Sequence, residues 1–306
     1  VMKESILVTG GVGMIGRRLS KLLKKNSYDV LILDNLLSGL KLPKNINFVK
    51  ADILKENVLE KIFKEFKPNI IFHLAAIHHI PTCEFKRAHS LDVNVVGTEN
   101  ILKLAEKFKT EKIIIASSGA VYEWSNKKLE ENSTNSYPQD NYSLSKISNE
   151  HQLKFWTMRT GNVGIVARIF NTIGYDDPNS HLLPDILKQI DPNKKKNTIN
   201  LGTLVTKRDY IDANDVASAL FKMLNYKKKN FEIFNICYGK EYSVAKIVKA
   251  LQDILKIKIK VNLIKSKKRK IDRLSQLGSR KKMFKKLNWK PRNNLHSTLT
   301  RYVKKI

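Results

Sequence analysis

The stretch Val8-Thr9-Gly10-Gly11-Val12-Gly13-Met14-Ile15-Gly16 follows a short apolar run, Ser5-Ile6-Leu7-Val8. Behind it, Leu19, Leu22 and Leu23 recur at helical spacing among basic residues. This order predicts a buried strand, a glycine-rich turn and an amphipathic helix. Three of the glycines are spaced three apart, which allows a tight turn and close approach of a diphosphate. The diphosphate would lie at the positive, N-terminal end of the helix.

A second apolar run, Val30-Leu31-Ile32-Leu33, ends in Asp34. An acid about 20 residues after such glycines accepts hydrogen bonds from the adenosine ribose. A glycine triplet alone is a weak signal, but here the strand, the helix and the acid agree. No arginine follows Asp34 to hold a 2′-phosphate, so the sequence predicts NAD rather than NADP.

Apolar runs and amphipathic stretches then alternate as far as residue 170. This alternation predicts an α/β fold with a Rossmann-type doubly wound parallel sheet. We expect residues 1–172 to form an NAD-binding domain and 173–306 mainly a smaller C-terminal substrate-binding lobe, with some segments returning to the first domain. The predicted strands lie at 48–53, 68–76, 112–116 and 163–170, and the predicted helices at 54–66, 93–108 and 142–158.

In the second lobe, two helix starts are expected from capping residues. Asp212 or Asp215 would cap a helix that runs through Leu224, and Ser243 would open another at 244–255.

The composition bounds the class of protein. The chain has 306 residues, enough for a sizeable core, and its apolar runs are of strand length, so no membrane association is expected. Because the first predicted strand follows directly on residues 1–4, no signal or transit peptide is expected. Cys83 and Cys237 have no metal-like spacing and are predicted to be free thiols. We therefore expect a cytoplasmic protein without a structural metal.

The net charge of +29 is uneven along the chain. Residues 222–306 hold 26 Lys or Arg against four acids. A basic lobe suits an anionic ligand, a nucleic acid or a membrane surface. A lysine-rich solvated surface is the preferred interpretation, because the densest charge, at 265–273, has no aromatic residue for base stacking. A nucleic-acid partner is therefore not expected.

The stretch Tyr142-Ser143-Leu144-Ser145-Lys146 places a phenol and an ammonium four residues apart, on one face of a predicted helix. A lysine cation and a nicotinamide cation beside a tyrosine would lower its pKa toward the working range of a base. Ser118, just past the fifth predicted strand, would donate a hydrogen bond to the substrate oxygen whose proton the tyrosine takes. Tyr-x-x-x-Lys also occurs by chance on helix surfaces, but its position after a nucleotide motif favours a catalytic role.

Taken together, the chain resembles the extended short-chain dehydrogenases/reductases of the NAD-dependent epimerase/dehydratase family, which includes UDP-glucose 4-epimerase. The resemblance covers nearly all residues. It rests on the ordered motifs at 9–16, 34–35, 51–53, 73–76, 94–98, 117–122, 142–146, 168–171, 208–211 and 287–291.

This resemblance implies the site residues. The catalytic residues are Ser118, Tyr142 and Lys146. Residues implied to bind the cofactor are Gly10, Gly13, Met14, Ile15, Gly16, Asp34, Asn35, Asp52, Ile53, Leu74, Ala75, Ala76, Asn94, Tyr142 and Lys146. Residues implied to bind a nucleotide-diphosphate sugar are Ser118, Asn171, Arg208 and Arg273. A homodimer formed through the helices at 93–108 and 142–158 is also implied.

Several alternatives stay open. Asn171 could instead form a turn, and Arg208 could instead pair with Asp209 or Asp212. The sequence departs from the family at Glu123-Trp124, where Gly often follows the Val-Tyr pair, and this departure would reshape the substrate wall. His78 and His79 would either contact substrate or simply be exposed.

The leading functional hypothesis is a nucleotide-sugar epimerase that acts through a transient keto sugar, with Tyr142 as acid and base. Relatives that eliminate water carry an acid one or two positions after the catalytic Ser or Thr. Here Gly119 and Ala120 follow Ser118, and their small size is expected to leave room for a sugar to turn over. A reductase or dehydratase of the same family is the alternative. A non-catalytic Rossmann regulator or nucleic-acid binder is a third hypothesis, which an intact Ser-Tyr-Lys set argues against.

Overall fold

The computed structural model describes residues 4–267 and 272–304. Its strands are β1 (Ser5–Thr9), β2 (Asp29–Asp34), β3 (Asn47–Lys50), β4 (Ile70–His73), β5 (Lys112–Ser118), β6 (Val163–Ile169), β7 (Asn171–Ile173), β8 (Lys196–Leu201), β9 (Lys207–Asp212), β10 (Phe231–Ile236), β11 (Glu241–Ser243) and β12 (Lys258–Leu263). Its α-helices are α1 (Gly16–Lys25), α2 (Glu56–Phe66), α3 (Ile80–Phe85), α4 (Arg87–Leu91), α5 (Gly97–Lys107), α6 (Asn141–Thr160), α7 (Leu182–Lys188), α8 (Ala213–Lys222), α9 (Val244–Leu255), α10 (Lys281–Leu287) and α11 (Leu295–Val303). Part of the charged stretch at 265–273 lies outside the described residues.

Seven parallel strands form the central sheet, in the order β10-β6-β5-β4-β1-β2-β3. The chain reverses direction across the sheet between β1 and β4, which creates the crevice of a doubly wound fold. The predicted fold class is confirmed. The seventh strand, β10, was not predicted; it comes from the second half of the chain and pairs with β6, with Phe231 opposite Gly164.

The sheet is covered on both faces, as the continuous apolar runs of its strands require. Alternate residues of β1 serve opposite faces: Ile6 and Val8 pack in one core with α1 and α8, while Leu7 packs in the other with α2, α5 and α6. Both cores are therefore built around the same short strand.

The predicted helix at 93–108 is not uniform. Its start, Asp92–Val96, is a π-helical turn that leads into α5. Turns of this kind place one extra residue in a helix and are frequent at functional sites. Here the turn carries the buried Asn94, whose amide binds the backbone N–H and C=O of Ile77 at 2.8 and 2.9 Å.

The remaining strands form a three-stranded sheet, β11-β9-β7, and a two-stranded sheet, β12-β8. A third core lies beneath α9 and α11. Within the described ranges, no helix is both long and apolar enough to cross a membrane.

The capping alternatives are resolved by the structure. Asp212 caps α8 by accepting a hydrogen bond from the Asn214 N–H at 2.7 Å, whereas Asp215 accepts from the Arg292 N–H at 3.1 Å. Ser243 caps α9, as predicted. Asp212 also pairs with Arg301 of α11 at 2.7 Å, so one carboxylate joins two helices.

We expect Asp212→Ala to lower the free energy of unfolding by about 1–2 kcal/mol, because it removes a helix cap and an ion-pair partner. Urea denaturation measures this change. Asp253→Ala is the control, since its pair with Lys249 is exposed and should contribute at most about 1 kcal/mol. Equal losses in the two variants would contradict a capping role for Asp212.

Candidate active site

The glycine-rich turn joins β1 to α1 at the carboxyl edge of the sheet. Gly10 has a φ of 66°, and a Cβ there would lie 2.7 Å from the Ala75 backbone nitrogen. A Cβ on Gly16 would lie 2.3 Å from the Gly10 carbonyl oxygen. Both positions therefore need glycine for packing within the protein.

Gly13 differs from these two glycines. A Cβ on Gly13 would meet only the Gly10 carbonyl oxygen within 4 Å among the described atoms, at 3.3 Å. The turn thus leaves room in front of Gly13. Among the described residues no side chain caps α1, and its first turn has no acid. This room and the uncapped helix N-terminus fit a diphosphate group.

Asp34 lies at the end of β2, as predicted, and is buried. Its carboxylate accepts hydrogen bonds from the Val12 N–H at 3.0 Å and from the Leu36 N–H at 2.7 Å. The acid therefore also holds the glycine-rich turn against the neighbouring strand.

The other candidate cofactor residues lie at the same edge of the sheet. Asn35 follows β2, Asp52 and Ile53 follow β3, and Leu74, Ala75 and Ala76 follow β4. The nearby Met14 packs on the segment after β7, where a Cβ on Gly174 would lie 2.5 Å from its sulfur. Their roles toward the cofactor stay predictions.

The three candidate catalytic residues are brought together. Asp140 caps α6 and thereby fixes its first turn, which carries Tyr142. The Ser118 hydroxyl, at the end of β5, lies near enough to the Tyr142 phenol to influence its pKa. The Lys146 ammonium lies 5.9 Å from the centre of the Tyr142 ring.

Burial dominates the electrostatics of the candidate catalytic residues. It raises the pKa of Tyr142, and the neighbouring Ser118 hydroxyl opposes this only in part. Burial also lowers the pKa of Lys146 to about 8. In the protein alone, burial outweighs the influence of neighbouring groups; the lowering expected from Lys146 together with a nicotinamide cation stays a prediction. A nicotinamide cation would supply the further positive charge.

Arg208 lies on β9 and donates to the Asp272 carboxylate and to the Arg273 carbonyl, each at 2.7 Å. Its expected alternative partners are engaged elsewhere. Asp209 is buried and accepts from three backbone N–H groups, and Asp212 pairs with Arg301.

Arg273 is buried, and its guanidinium donates to the carbonyls of Gly119, Tyr122 and Glu123. Burial, and then the nearby Arg208, lower its pKa to about 10. The Arg273 Nε has no hydrogen-bond partner among the described residues. Two neighbouring guanidinium groups suit a diphosphate. Asn171, by contrast, is exposed at the start of β7.

The expected open space after Ser118 is only partly present. A Cβ on Gly119 would lie 3.1 Å from both the Phe170 ring and the Gln276 side chain. The expectation of room at position 119 is wrong, because packing uses that space. Ala120, which is half-buried, remains the small residue beside the Ser118 hydroxyl, to which its N–H donates at 3.1 Å. Trp124 is exposed.

The two loop histidines lie in a cluster that the sequence did not reveal. The rings of His78 and His79 lie 6.0 and 5.6 Å from the ring of His181, which precedes α7. The His181 Nδ1 lies 2.7 Å from the Asp177 carboxylate, and the His78 Nε2 lies 2.9 Å from the Asn179 amide. Across residues 4–267 and 272–304, no group of His, Cys, Asp and Glu is arranged to hold a metal ion.

A buried network behind the catalytic residues was also missed. Glu150, one helical turn after Lys146 on α6, binds Arg168 of β6 and Ser117 of β5. The spacing of Lys146 and Glu150 was the available signal, since it places a carboxylate on the catalytic face of the helix.

Comparisons with known proteins agree with this site. The model of the NAD dependent epimerase/dehydratase family matches residues 6–237. The chain is 33% identical to a candidate UDP-glucose 4-epimerase of Methanocaldococcus jannaschii, over 97% of each chain. It is 25% identical to the GDP-6-deoxy-D-mannose reductase of Pseudomonas aeruginosa, over 97% of this chain and 95% of that one.

Among solved structures, the chain is similar to the UDP-glucose 4-epimerase of Thermotoga maritima with UDP-glucose. The TM-score is 0.88 and the identity 28%, over 98% of this chain and 99% of that one. The glycine-rich turn, the Ser118–Tyr142–Lys146 arrangement and these similarities lead to one conclusion: the chain belongs to the NAD dependent epimerase/dehydratase family, and its cofactor is NAD.

Proposed function

We propose that this protein is a nucleotide-sugar epimerase that works through a transient keto sugar. The observation that carries the proposal is that Ser118 and Lys146 both lie beside Tyr142, while the two residues after Ser118 cannot transfer a proton. Bound NAD supplies the acceptor and donor of hydride. Tyr142 takes the proton of the sugar hydroxyl and later returns it, and Ser118 holds the oxygen between these steps.

Elimination of water needs a second proton donor, directed at the departing hydroxyl. Gly119 and Ala120 cannot act as one, which disfavours a dehydratase. A reductase would use the same Ser-Tyr-Lys set, and the similarity to the Pseudomonas reductase keeps it as the second candidate. A reductase consumes reduced cofactor steadily, whereas an epimerase regenerates what it uses.

For the substrate, a uridine diphosphate sugar is favoured by the similarity to the Methanocaldococcus and Thermotoga proteins. Its diphosphate would contact Arg208, whose guanidinium donates to the Arg273 carbonyl, and Arg273, whose guanidinium donates to the Gly119 carbonyl in the turn after Ser118. In this proposal residues 1–172 bind NAD, and residues 173–306 mainly bind the sugar nucleotide. The strand β10 is the segment of the second part that joins the central sheet.

We also propose a homodimer formed through α6. Leu144, Phe155 and Met158 are 44%, 52% and 71% exposed. With His151, which packs on Phe155, they recur at spacings of seven, four and three residues, so they form one stripe along the helix. An exposed apolar stripe of this kind is typical of an interface.

A cytoplasmic location is proposed from the cysteines, because Cys83 and Cys237 are both buried free thiols. The basic excess of residues 222–306 is proposed to aid solubility and to attract anionic substrate rather than to bind nucleic acid.

The cofactor preference can be tested at Asp34. We expect the protein to bind NAD more tightly than NADP, since a 2′-phosphate would meet this carboxylate. Asp34→Ala should weaken NAD binding by about tenfold or more, because a charged hydrogen-bond acceptor contributes about 1.5–3 kcal/mol. Calorimetric titration of both cofactors measures this. Equal or tighter binding of NADP by the unaltered protein would overturn the preference.

The reaction can be tested with UDP-glucose and a panel of other nucleotide sugars. We expect an epimer to form while bound NAD is neither consumed nor released as NADH, with products identified by chromatography and mass spectrometry. Accumulation of a 4-keto-6-deoxy sugar would sink the epimerase proposal in favour of a dehydratase. Steady NADH consumption would favour the reductase.

Tyr142→Phe is the matched variant for that assay, since it removes only the phenol oxygen. Turnover should fall by about 10²–10⁴-fold, as is typical of losing a general acid–base group, while NAD affinity stays nearly unchanged. Turnover within a few-fold of the parent would show that Tyr142 is not the acid–base group of the reaction.

The oligomer can be tested by light scattering after gel filtration. The parent should have the mass of two chains, and Phe155→Glu should shift it to one, because the apolar stripe gains a charge. Phe284→Glu is the control, since Phe284 is similarly exposed but lies on α10. A monomeric parent would contradict the proposed dimer.

A further inference from the structure

A buried ion pair lies directly behind the catalytic residues. The Glu150 carboxylate accepts from the Arg168 Nε at 2.9 Å and from its Nη2 at 2.6 Å. Each side chain is only 4% exposed. A pair buried this deeply adds little net stability, because the cost of removing both charges from water offsets their attraction. Its position, rather than its contribution to stability, is therefore the informative property.

The pair is bonded to the strand that carries the candidate serine. The Ser117 hydroxyl donates to the Glu150 carboxylate at 2.5 Å, and Ser118 is the next residue. Ser117 and Arg168 are also register partners on the adjacent strands β5 and β6. One carboxylate thus joins α6, which carries Tyr142, to both strands.

The network continues toward the second lobe. The Arg168 guanidinium carbon lies 4.5 Å from the centre of the Tyr122 ring, and its Nη2 donates to the Ser136 hydroxyl at 3.0 Å. The Tyr122 carbonyl accepts from the guanidinium of Arg273 at 3.0 Å. Glu150 is therefore connected to the strand that carries Ser118 and, through Arg168 and Tyr122, to Arg273.

Glu150 also acts on the charge of Lys146. The titratable groups around Lys146 are Tyr142 and Glu150 of α6, Cys83 of α3, His73 of β4 and His78 of the following loop. Burial lowers the pKa of His73 to about 3, so its ring is neutral at neutral pH, whereas His78 is exposed. Burial raises the pKa of the Cys83 thiol, which is then neutral as well. The neighbours that raise the pKa of Lys146 are Cys83 and then Glu150. Because the thiol is neutral, the Glu150 carboxylate, one helical turn away on α6, is the negative charge that opposes deprotonation of Lys146.

We propose that Glu150 is a positioning residue for hydride transfer: its carboxylate fixes the strand end that carries Ser118 against the catalytic helix and keeps Lys146 cationic. The inference rests on the proposed function only in that turnover of a nucleotide sugar is one of its two readouts.

Glu150→Gln in the NAD-bound enzyme tests both parts, because glutamine has nearly the same shape without the charge. We expect kcat to fall by about ten- to a hundredfold. Without the negative charge Lys146 loses its proton at lower pH, so the alkaline limb of kcat should move down by about one pH unit. A parent-like kcat and pH profile would overturn the proposal.

Two further variants separate position from charge and from general destabilisation. Glu150→Asp keeps the charge on a shorter side chain, so kcat should fall while the alkaline limb stays in place. If Glu150→Gln does not fold, a parent-like kcat in Glu150→Asp still overturns the positioning role. Glu56→Gln breaks an exposed pair with Lys103, 2.7 Å apart, and should change neither quantity.

The second readout needs no substrate. Titration of Lys146 by NMR of isotope-labelled lysine should give a lower midpoint in Glu150→Gln than in the parent. That shift supports the role of Glu150 whether or not a nucleotide sugar in the panel is turned over. A lack of turnover would count only against the proposed function. An unchanged midpoint would overturn the electrostatic part of the proposal.

Discussion

The contact between the backbones of Gly10 and Gly16 determines where the first helix begins, and much of the structure depends on it. With any side chain at position 16, a Cβ would lie 2.3 Å from the Gly10 carbonyl oxygen, well inside contact distance. The close approach brings α1 directly onto the end of β1 and beside the backbone of Ala75, which follows β4. The crevice of the doubly wound sheet lies at the ends of β1 and β4. Backbone contacts, and not side chains, fix the segments that follow these two strands.

The catalytic side chains are held by a different kind of contact. Tyr142 and Lys146 come from a single helix, so their spacing is local, whereas Ser118 comes from β5 and must be aligned across a helix–sheet interface. Apolar packing is not directional enough to fix that alignment. Hydrogen bonds from Ser117 and Arg168 to Glu150 are directional, and they lie within one residue or one turn of the catalytic groups.

Local patterns were sufficient to predict the parallel sheet, the glycine-rich turn, the end of β2 at Asp34 and the Ser118–Tyr142–Lys146 arrangement. Each of these features depends on residues that are close in sequence or on strand ends that a parallel sheet gathers at one edge. The membership of β10 in that sheet was not predictable in the same way, because no local pattern of Phe231–Ile236 identifies β6 as its neighbour.

Contacts made over long sequence separations account for the other differences. The space expected at Gly119 is taken by Phe170 and Gln276, which are distant in sequence. The pattern Tyr-x-x-x-Lys displays a lysine near Tyr142 but does not display the burial that raises the tyrosine pKa in the protein alone. Likewise, the His78 and His79 pair gains its ring neighbour, His181, from a loop about a hundred residues away.

The π-helical turn at Asp92–Val96 separates the side-chain directions of the residues before it from those of α5 after it. Each residue of an α-helix advances the direction of its side chain by about 100°. The extra residue in this turn therefore rotates α5 relative to Asn94 by roughly that angle. Asn94 can then point its amide at Ile77 and Ser145 while Ile101 and Leu102 still face the core. The direction of the Asn94 side chain and the packing face of α5 are therefore not tied to one helical repeat. A substitution that alters one of them need not rotate the other.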